Sequence, residues 1–339
     1  MLALRGTFPI LSPRSAAESM TISRIAVVIP IFNEEAVLPQ LCARLIALFD
    51  AQPGCTWQAI LIDDGSRDRS ATLIRAQAAR DPRFTLVELT RNFGFQSALS
   101  AGLARAAEFD AVITMDADLQ DPPELIPELV AAWRDGTEVV RATRRTRSET
   151  GLRRLGFDAF HGLISRLTDY PMDPNTGTFG LLGREAVAAF QQLPERHRFF
   201  PGLRSWIGFP SAAVLYDRQE RAAGQPQQTF RRLVRYALDG VFSFSYLPLR
   251  ALTYSGMFVG LVGFCLGIYY VVKRLVDIER APTGFTTLAA LVLFLGGIQL
   301  IGIGVLGEYL GRIYDEVKQR PVYLVKSPRG LRPAPSRPA

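Results

Sequence analysis

The sequence predicts an α/β domain built on a mostly parallel sheet, followed by a two-helix hairpin long enough to cross a membrane. Three observations carry this. Residues 24–142 alternate short apolar runs with segments of helical periodicity. Four of the apolar runs lead into clusters of polar residues, which βαβ geometry would gather on one sheet edge. Two stretches near the C-terminus, 251–272 and 285–306, hold no charged residue over 22 positions each.

The elements follow in order. Residues 1–23 read as a flexible tail. The apolar run there is short and broken by Pro9 and Pro13, which does not make a signal peptide; Met20 is an alternative start. Strands are expected at Ile25–Ile29, Ala59–Ile62, Phe84–Leu89, Ala111–Met115 and Val139–Ala142. Helical spacing of apolar residues marks Val37–Phe49, Ala71–Ala79, Gln96–Ala107 and Leu125–Trp133 between them. Such alternation predicts βαβ units and a sheet covered on both faces. The segments 151–168 and 228–246 are amphipathic with arginines on the polar side. Helices of this kind lie on membrane surfaces or pack on a neighbouring domain; the second leads straight into an apolar span, which favours the interface.

Each charge-free stretch is long enough to span a bilayer as a helix, which takes about 20 residues. Arg231, Arg232, Arg235 and Arg250 precede the first; Arg312, Lys318, Arg320, Lys326, Arg329, Arg332 and Arg337 follow the second. The positive-inside rule then puts both flanks, and everything up to Arg250, in the cytoplasm. The chain divides into a tail (1–23), a cytoplasmic α/β domain (24–227), a juxtamembrane helix (228–250), the hairpin (251–306) and a C-terminal tail (307–339). Proline and arginine alternate after Ser327, a composition with little to bury.

The net charge of +7 concentrates beside the spans, so anionic lipid headgroups explain it and nucleic acid is not implied. Cys42, Cys55 and Cys265 form no spaced set, which argues against a disulfide framework and a zinc site. His161 and His197 stand alone.

The polar clusters at the strand ends are PIFNEE (30–35), DDGSRD (63–68), TRNFGF (90–95) and DADLQD (116–121). Acids directly after a buried strand need compensation. In extended backbone Asp116 and Asp118 would point the same way. Hard carboxylate oxygens suit Mg²⁺ or Mn²⁺, which usually takes one or two carboxylates and completes its shell with substrate phosphates.

VVIPIFNEE (27–35), LIDDGSRD (61–68), RNFGFQSALSAG (91–102) and MDADLQDPPE (115–124) resemble the inverting GT-A glycosyltransferases of family 2. Within that family the chain is most similar to the polyprenyl-phosphate glycosyltransferases, of the dolichol-phosphate mannose synthase and bactoprenol-phosphate glucosyltransferase type. FFPGLRSWIGF (199–209), YDRQERAAG (216–224) and DGVFSFSYLPLR (239–250) extend the resemblance to the hairpin.

The resemblance implies a Rossmann-like GT-A domain and a set of roles. Pro30, Phe32, Asn33 and Glu34 would shape the nucleotide pocket, with Leu61 and Ala117 lining it, Asp63 on the base and Asp64 in the following turn. Asp116 and Asp118 would hold the metal and, with Arg221, form the catalytic set, Gln120 standing beside them. Arg144 would meet the donor phosphates; Arg218, Arg221 and Gln227 would meet the lipid phosphate. It further implies UDP-glucose as default donor, polyprenyl (undecaprenyl) phosphate as acceptor, the bacterial inner membrane, a homotetramer and a downstream flippase. GDP-mannose, UDP-GlcNAc and UDP-amino-arabinose are alternative donors.

Two departures stand out. In NTGTFGLLGR (175–184), Thr178 and Gly180 occupy places where relatives carry an acid and an arginine, while Arg184 fits a further family arginine. Gln227 replaces a phosphate-side lysine. A processive polysaccharide synthase would bring a QxxRW motif and more spans. A non-catalytic membrane scaffold would have no need of the strand-end acids.

Overall fold

In the computed structural model, which describes residues 22–145, 176–196, 198–217, 247–276 and 284–326, the apolar runs form a seven-stranded sheet. The amphipathic segments 151–168 and 228–246, Arg218, Arg221, Gln227, both histidines and the outermost tails lie outside the described residues. The sheet order is β3-β2-β1-β4-β6-β5-β7. Its members are β1 (Ser23–Ile31), β2 (Cys55–Asp63), β3 (Phe84–Glu88), β4 (Ala111–Thr114), β5 (Val139–Arg144), β6 (Thr176–Gly183) and β7 (Ser211–Tyr216). Only β6 runs antiparallel to its neighbours among these strands.

The run in β1 is continuous because both faces are covered. Ile25, Val27, Ile29 and Ile31 face one core with α1 (Leu38–Ala51), α2 (Ser70–Arg80) and α4 (Ile126–Arg134). Ala26 and Val28 face another with α3 (Phe95–Arg105), α5 (Arg184–Gln192) and α6 (Phe200–Trp206).

β6 and β7 were not anticipated. β6 reads TGTFGLLG, with three glycines and two threonines diluting the apolar signal. β7 is an edge strand whose exposed and half-buried positions alternate until Tyr216.

The two apolar stretches become α7 (Leu247–Val276) and α8 (Phe285–Val317). Both are long and apolar enough to cross a membrane, and they touch where Gly302 leaves room for Leu252, whose Cδ1 lies 3.1 Å from a Cβ built at Gly302. Large side chains such as Phe258 and Leu300 are 68% and 70% exposed, an apolar surface suited to lipid. α8 continues past residue 306 through Glu308, Arg312 and Glu316. There the Glu316 carboxylate accepts the Arg196 N–H at 2.7 Å, and the Arg196 guanidinium donates to the Arg320 carbonyl. The chain then lies along β3. Thr90 N–H donates to Leu324 O at 2.9 Å and Lys326 N–H to Glu88 O at 2.7 Å, while Tyr323 and Val325 pack on the second core.

Candidate active site

The loops after β1, β2 and β3 are tied to one another. Asn33 turns the chain in the left-handed region, at φ 56°. Its N–H donates to Ser66 Oγ at 3.0 Å, and its Oδ1 accepts the Arg67 N–H at 2.8 Å. Next along, Glu34 N–H donates to Ser70 Oγ at 3.0 Å and Glu35 N–H to Asp68 Oδ2 at 3.1 Å. The PIFNEE and DDGSRD loops are thus joined mainly by backbone donors meeting side-chain acceptors.

Both acids that close β2 are buried, each 2% exposed. Asp63 Oδ1 accepts the Ser66 N–H at 3.1 Å. Asp64 accepts two N–H groups from the third loop, Phe93 at 2.7 Å and Gly94 at 2.9 Å. Burial pushes the Asp64 carboxyl above the usual range, partly offset by those two donors. Gly65, at φ 70°, lets the RNFG backbone come close: a Cβ there would stand 2.6 Å from the Arg91 carbonyl carbon.

The fourth loop departs from the geometry expected of it. β4 ends at Thr114, and Ala117–Asp118 form a turn rather than extended backbone, so period-two alternation does not orient the two acids. The turn is set by Leu119, whose φ is 59° although its side chain is 1% exposed in the first core. A buried leucine held left-handed is a strained position paid for by its packing. Asp118 is 8% exposed and caps the turn, its Oδ1 accepting the Gln120 N–H at 3.1 Å. Asp116 is half-buried and accepts the Thr178 hydroxyl at 3.0 Å.

Three residues that sequence reasoning gave no settled part gather here. Thr178 bonds Asp116. Asp121, 1% exposed, accepts the Tyr216 hydroxyl at 2.5 Å. Arg144 Nε in turn donates to the Tyr216 oxygen at 3.4 Å. Burial pushes the Arg144 guanidinium down, but Tyr216, Asp121 and Asp116 outweigh it and hold the group above the usual arginine range. Tyr216 opens the YDRQERAAG motif and Asp121 lies within the DADLQD run, so the signal was present without a partner to give it meaning. Tyr216→Phe is expected to cost about 1–3 kcal/mol, the usual penalty for stripping a donor from a buried acceptor. A thermal melt of the purified protein checks this.

Arg184 lies elsewhere. It donates to Asp110 at 2.6 Å and to the carbonyls of Glu108 and Phe109, at the end of β4 opposite the DAD loop.

Among the described residues no group of three or more His, Cys, Asp or Glu is placed to hold a metal. Asp116 and Asp118, two carboxylates on the loop after β4, still suit by their chemistry a hard divalent ion that draws its other ligands from a diphosphate.

Residues 26–190 match glycosyl transferase family 2, and residues 247–313 match the GtrB C-terminal hairpin. An uncharacterized glycosyltransferase of Synechocystis sp., sll0501, is 44% identical over 313 residues, covering 92% of this chain and 97% of that protein. The chain belongs to glycosyl transferase family 2. This glycosyltransferase is also 42% identical over 304 residues to the SfII prophage-derived bactoprenol glucosyl transferase of Shigella flexneri, covering 89% of this chain and 97% of that one. Among solved structures, the mannosyltransferase PcManGT of Pyrobaculum calidifontis, in complex with GDP-Man and Mn²⁺, overlaps at TM-score 0.46 and 15% identity, covering 91% of this chain and 88% of that one. The fold expected of a GT-A family member, a mostly parallel mixed sheet with an apolar C-terminal hairpin, is the fold observed.

Proposed function

We propose that this family 2 glycosyltransferase transfers a hexose, with glucose from UDP-glucose as the default, to polyprenyl phosphate with inversion at the anomeric carbon. The observation that carries the reading is the union of a carboxylate-bearing strand-end site with an apolar hairpin in one chain. Relatives named bactoprenol glucosyl transferase, matched over about nine-tenths of this chain, support the acceptor.

A lipid phosphate oxygen attacks the anomeric carbon and the nucleoside diphosphate departs. Asp116 and Asp118 are the residues to hold Mg²⁺ or Mn²⁺, whose chemistry is neutralising charge on the leaving diphosphate. Arg144, held by Tyr216, presents a second cation to phosphate oxygens, for which its planar fork is well shaped. The joined PIFNEE and DDGSRD loops form the nucleotide pocket, with Pro30, Phe32, Asn33, Glu34, Leu61 and Ala117 around it, Asp63 toward the base and Asp64 fixing the third loop. Arg218, Arg221 and Gln227 serve the acceptor. A phosphate monoester has its second pKa near 6, so at neutral pH the nucleophile is already ionised. The hydroxyl of Thr178 can therefore stand where relatives carry an acid.

On this reading the site works at the cytoplasmic face of the bacterial inner membrane, with both flanks of the hairpin inside; the arginines and lysines on those flanks support it. Assembly as a homotetramer and delivery of the product to a flippase belong to the same reading. The test is a panel of UDP-glucose, GDP-mannose, UDP-GlcNAc and UDP-amino-arabinose offered to purified protein with a short polyprenyl phosphate and Mn²⁺. One donor is expected to yield a lipid-linked sugar of inverted anomeric configuration; release of no nucleoside diphosphate from any of the four would leave the scaffold reading standing.

A further inference from the structure

β6 enters the site through Thr176-Gly177-Thr178, and two guanidinium groups close on it. Arg144 Nη2 lies 3.4 Å from where a Cβ on Gly177 would stand. Arg204 Nη2 donates to the Gly177 carbonyl at 3.1 Å. Arg204 comes from α6, is 3% exposed, and rests over the Phe200 ring at 5.4 Å. Placing an arginine this deep costs several kcal/mol unless its neighbours answer for the charge, so such an arginine is seldom a packing accident.

Its position bears on the departure at 178–180. The resemblance puts an arginine at 180, where this chain has glycine. The space is not vacant: Arg204 Nη1 lies 3.2 Å from where a Cβ on Gly180 would be. Nor could β6 easily supply the side chain itself. That Cβ would also stand 2.5 Å from the Val140 carbonyl oxygen, beside the register shift between β5 and β6. A guanidinium absent from β6 is thus supplied by α6, beside the point where a side chain at 180 would begin.

The bonds run onward from there. Gly177 precedes Thr178, whose carbonyl accepts the Thr114 hydroxyl at 2.5 Å and whose own hydroxyl donates to Asp116 at 3.0 Å. We propose that Arg204 is a positioning residue for the metal-binding turn: by holding the Gly177 carbonyl it fixes Thr178, and Thr178 orients Asp116. Arg204 touches neither donor nor acceptor on this scheme. The inference rests on the assignment of Asp116 and Asp118 as metal ligands.

The experiment is a double-mutant cycle read by Mn²⁺ binding, not by turnover. Purified full-length protein with saturating UDP is titrated with Mn²⁺, and the free aqueous ion is followed by electron paramagnetic resonance. Loss of a residue that orients a metal ligand typically weakens binding about 10–100-fold. Arg204→Met and Thr178→Val are each expected to weaken Mn²⁺ binding about tenfold, and the double variant no further than the weaker single one. Losses that multiply to about a hundredfold would show two separate routes and overturn the proposal. Unchanged Mn²⁺ affinity in Arg204→Met, with only a lower melting temperature, would do the same, since that is the signature of a purely structural arginine. Should Arg204→Met fail to fold, the cycle runs with Arg204→Lys, which keeps the charge over Phe200 but shortens the reach to Gly177; the same coupling with Thr178→Val is expected. Asp118→Asn is the control. If it binds Mn²⁺ like the unaltered protein, the ligand assignment itself is wrong, an outcome distinct from failure of the Arg204 proposal.

Discussion

Asp118→Asn is expected to lower sugar transfer by about a thousandfold while leaving the protein folded. The figure is the upper end of what removing one preordained electrostatic group costs in kcat. Asparagine is the informative replacement because Asp118 has two duties. One is local: its Oδ1 accepts the Gln120 N–H and closes the turn, and an amide oxygen can do that equally well. The other is charge, which an amide lacks. A variant that melts with the unaltered protein but does not transfer separates the two. Metal withdrawal should mimic it reversibly. A chelator is expected to abolish transfer in the unaltered protein, with Mn²⁺ or Mg²⁺ restoring it, whereas the same addition leaves Asp118→Asn inactive. Full transfer by Asp118→Asn in membranes would sink the catalytic assignment.

Gly65→Ala should produce the second large effect, this time in stability and donor binding together. The added methyl group would stand 2.6 Å from the Arg91 carbonyl carbon and 2.7 Å from the Asn92 nitrogen, both backbone, and the φ of 70° is one that alanine resists. A left-handed non-glycine costs about 1–3 kcal/mol, and overpacking adds a similar amount. A combined loss of about 2–6 kcal/mol lowers the melting temperature by about 2–4 °C for each kcal/mol in a domain of this size. Relief requires the RNFG loop to move away, which pulls the Phe93 and Gly94 N–H groups off Asp64. That leaves a carboxylate only 2% exposed without its two donors, and the KM for nucleotide-sugar is expected to rise with the fall in melting temperature. A variant with an unchanged melt would show that the loop yields freely and that the close approach matters little.

The first five strands were legible because burial on both faces writes itself as an unbroken apolar run, as in IAVVI of β1 and AVIT of β4. The helices between them followed from their 3.6-residue period. β6 escaped because its construction needs small residues: Gly177 admits Arg144, and Gly180 sits against Val140 and Arg204. Space for a neighbour's side chain is invisible from the strand that provides it. The strand-end loops could be read as a site, but not their wiring. Nothing in DADLQD announces that Leu119 takes a left-handed turn, that Asp121 finds Tyr216 95 residues later, or that Asp116 finds Thr178 62 residues later. Those pairings depend on an antiparallel strand inserted between two parallel ones, a matter of topology that local periodicity does not encode. Arg184, which fits a family arginine by spacing, bonds Asp110 at the other end of β4, a location that spacing alone does not give.

The segment Leu324–Lys326 gives the hairpin a mechanical meaning. β7 is one rim of the sheet and β3 the other. The chain departs for the hairpin after β7 and comes back to grip β3. The contact at β3 adds a second, non-covalent tie to the covalent one after β7. Residues 307–317 of α8 act as a strut between the last charge-free turn and that second grip, about 16 Å long at 1.5 Å per residue. The grip sits directly before the RNFG loop, so the same few residues also brace the wall on which Asp64 depends. If the proposed function holds, alignment to the bilayer and the shape of the nucleotide pocket share one joint.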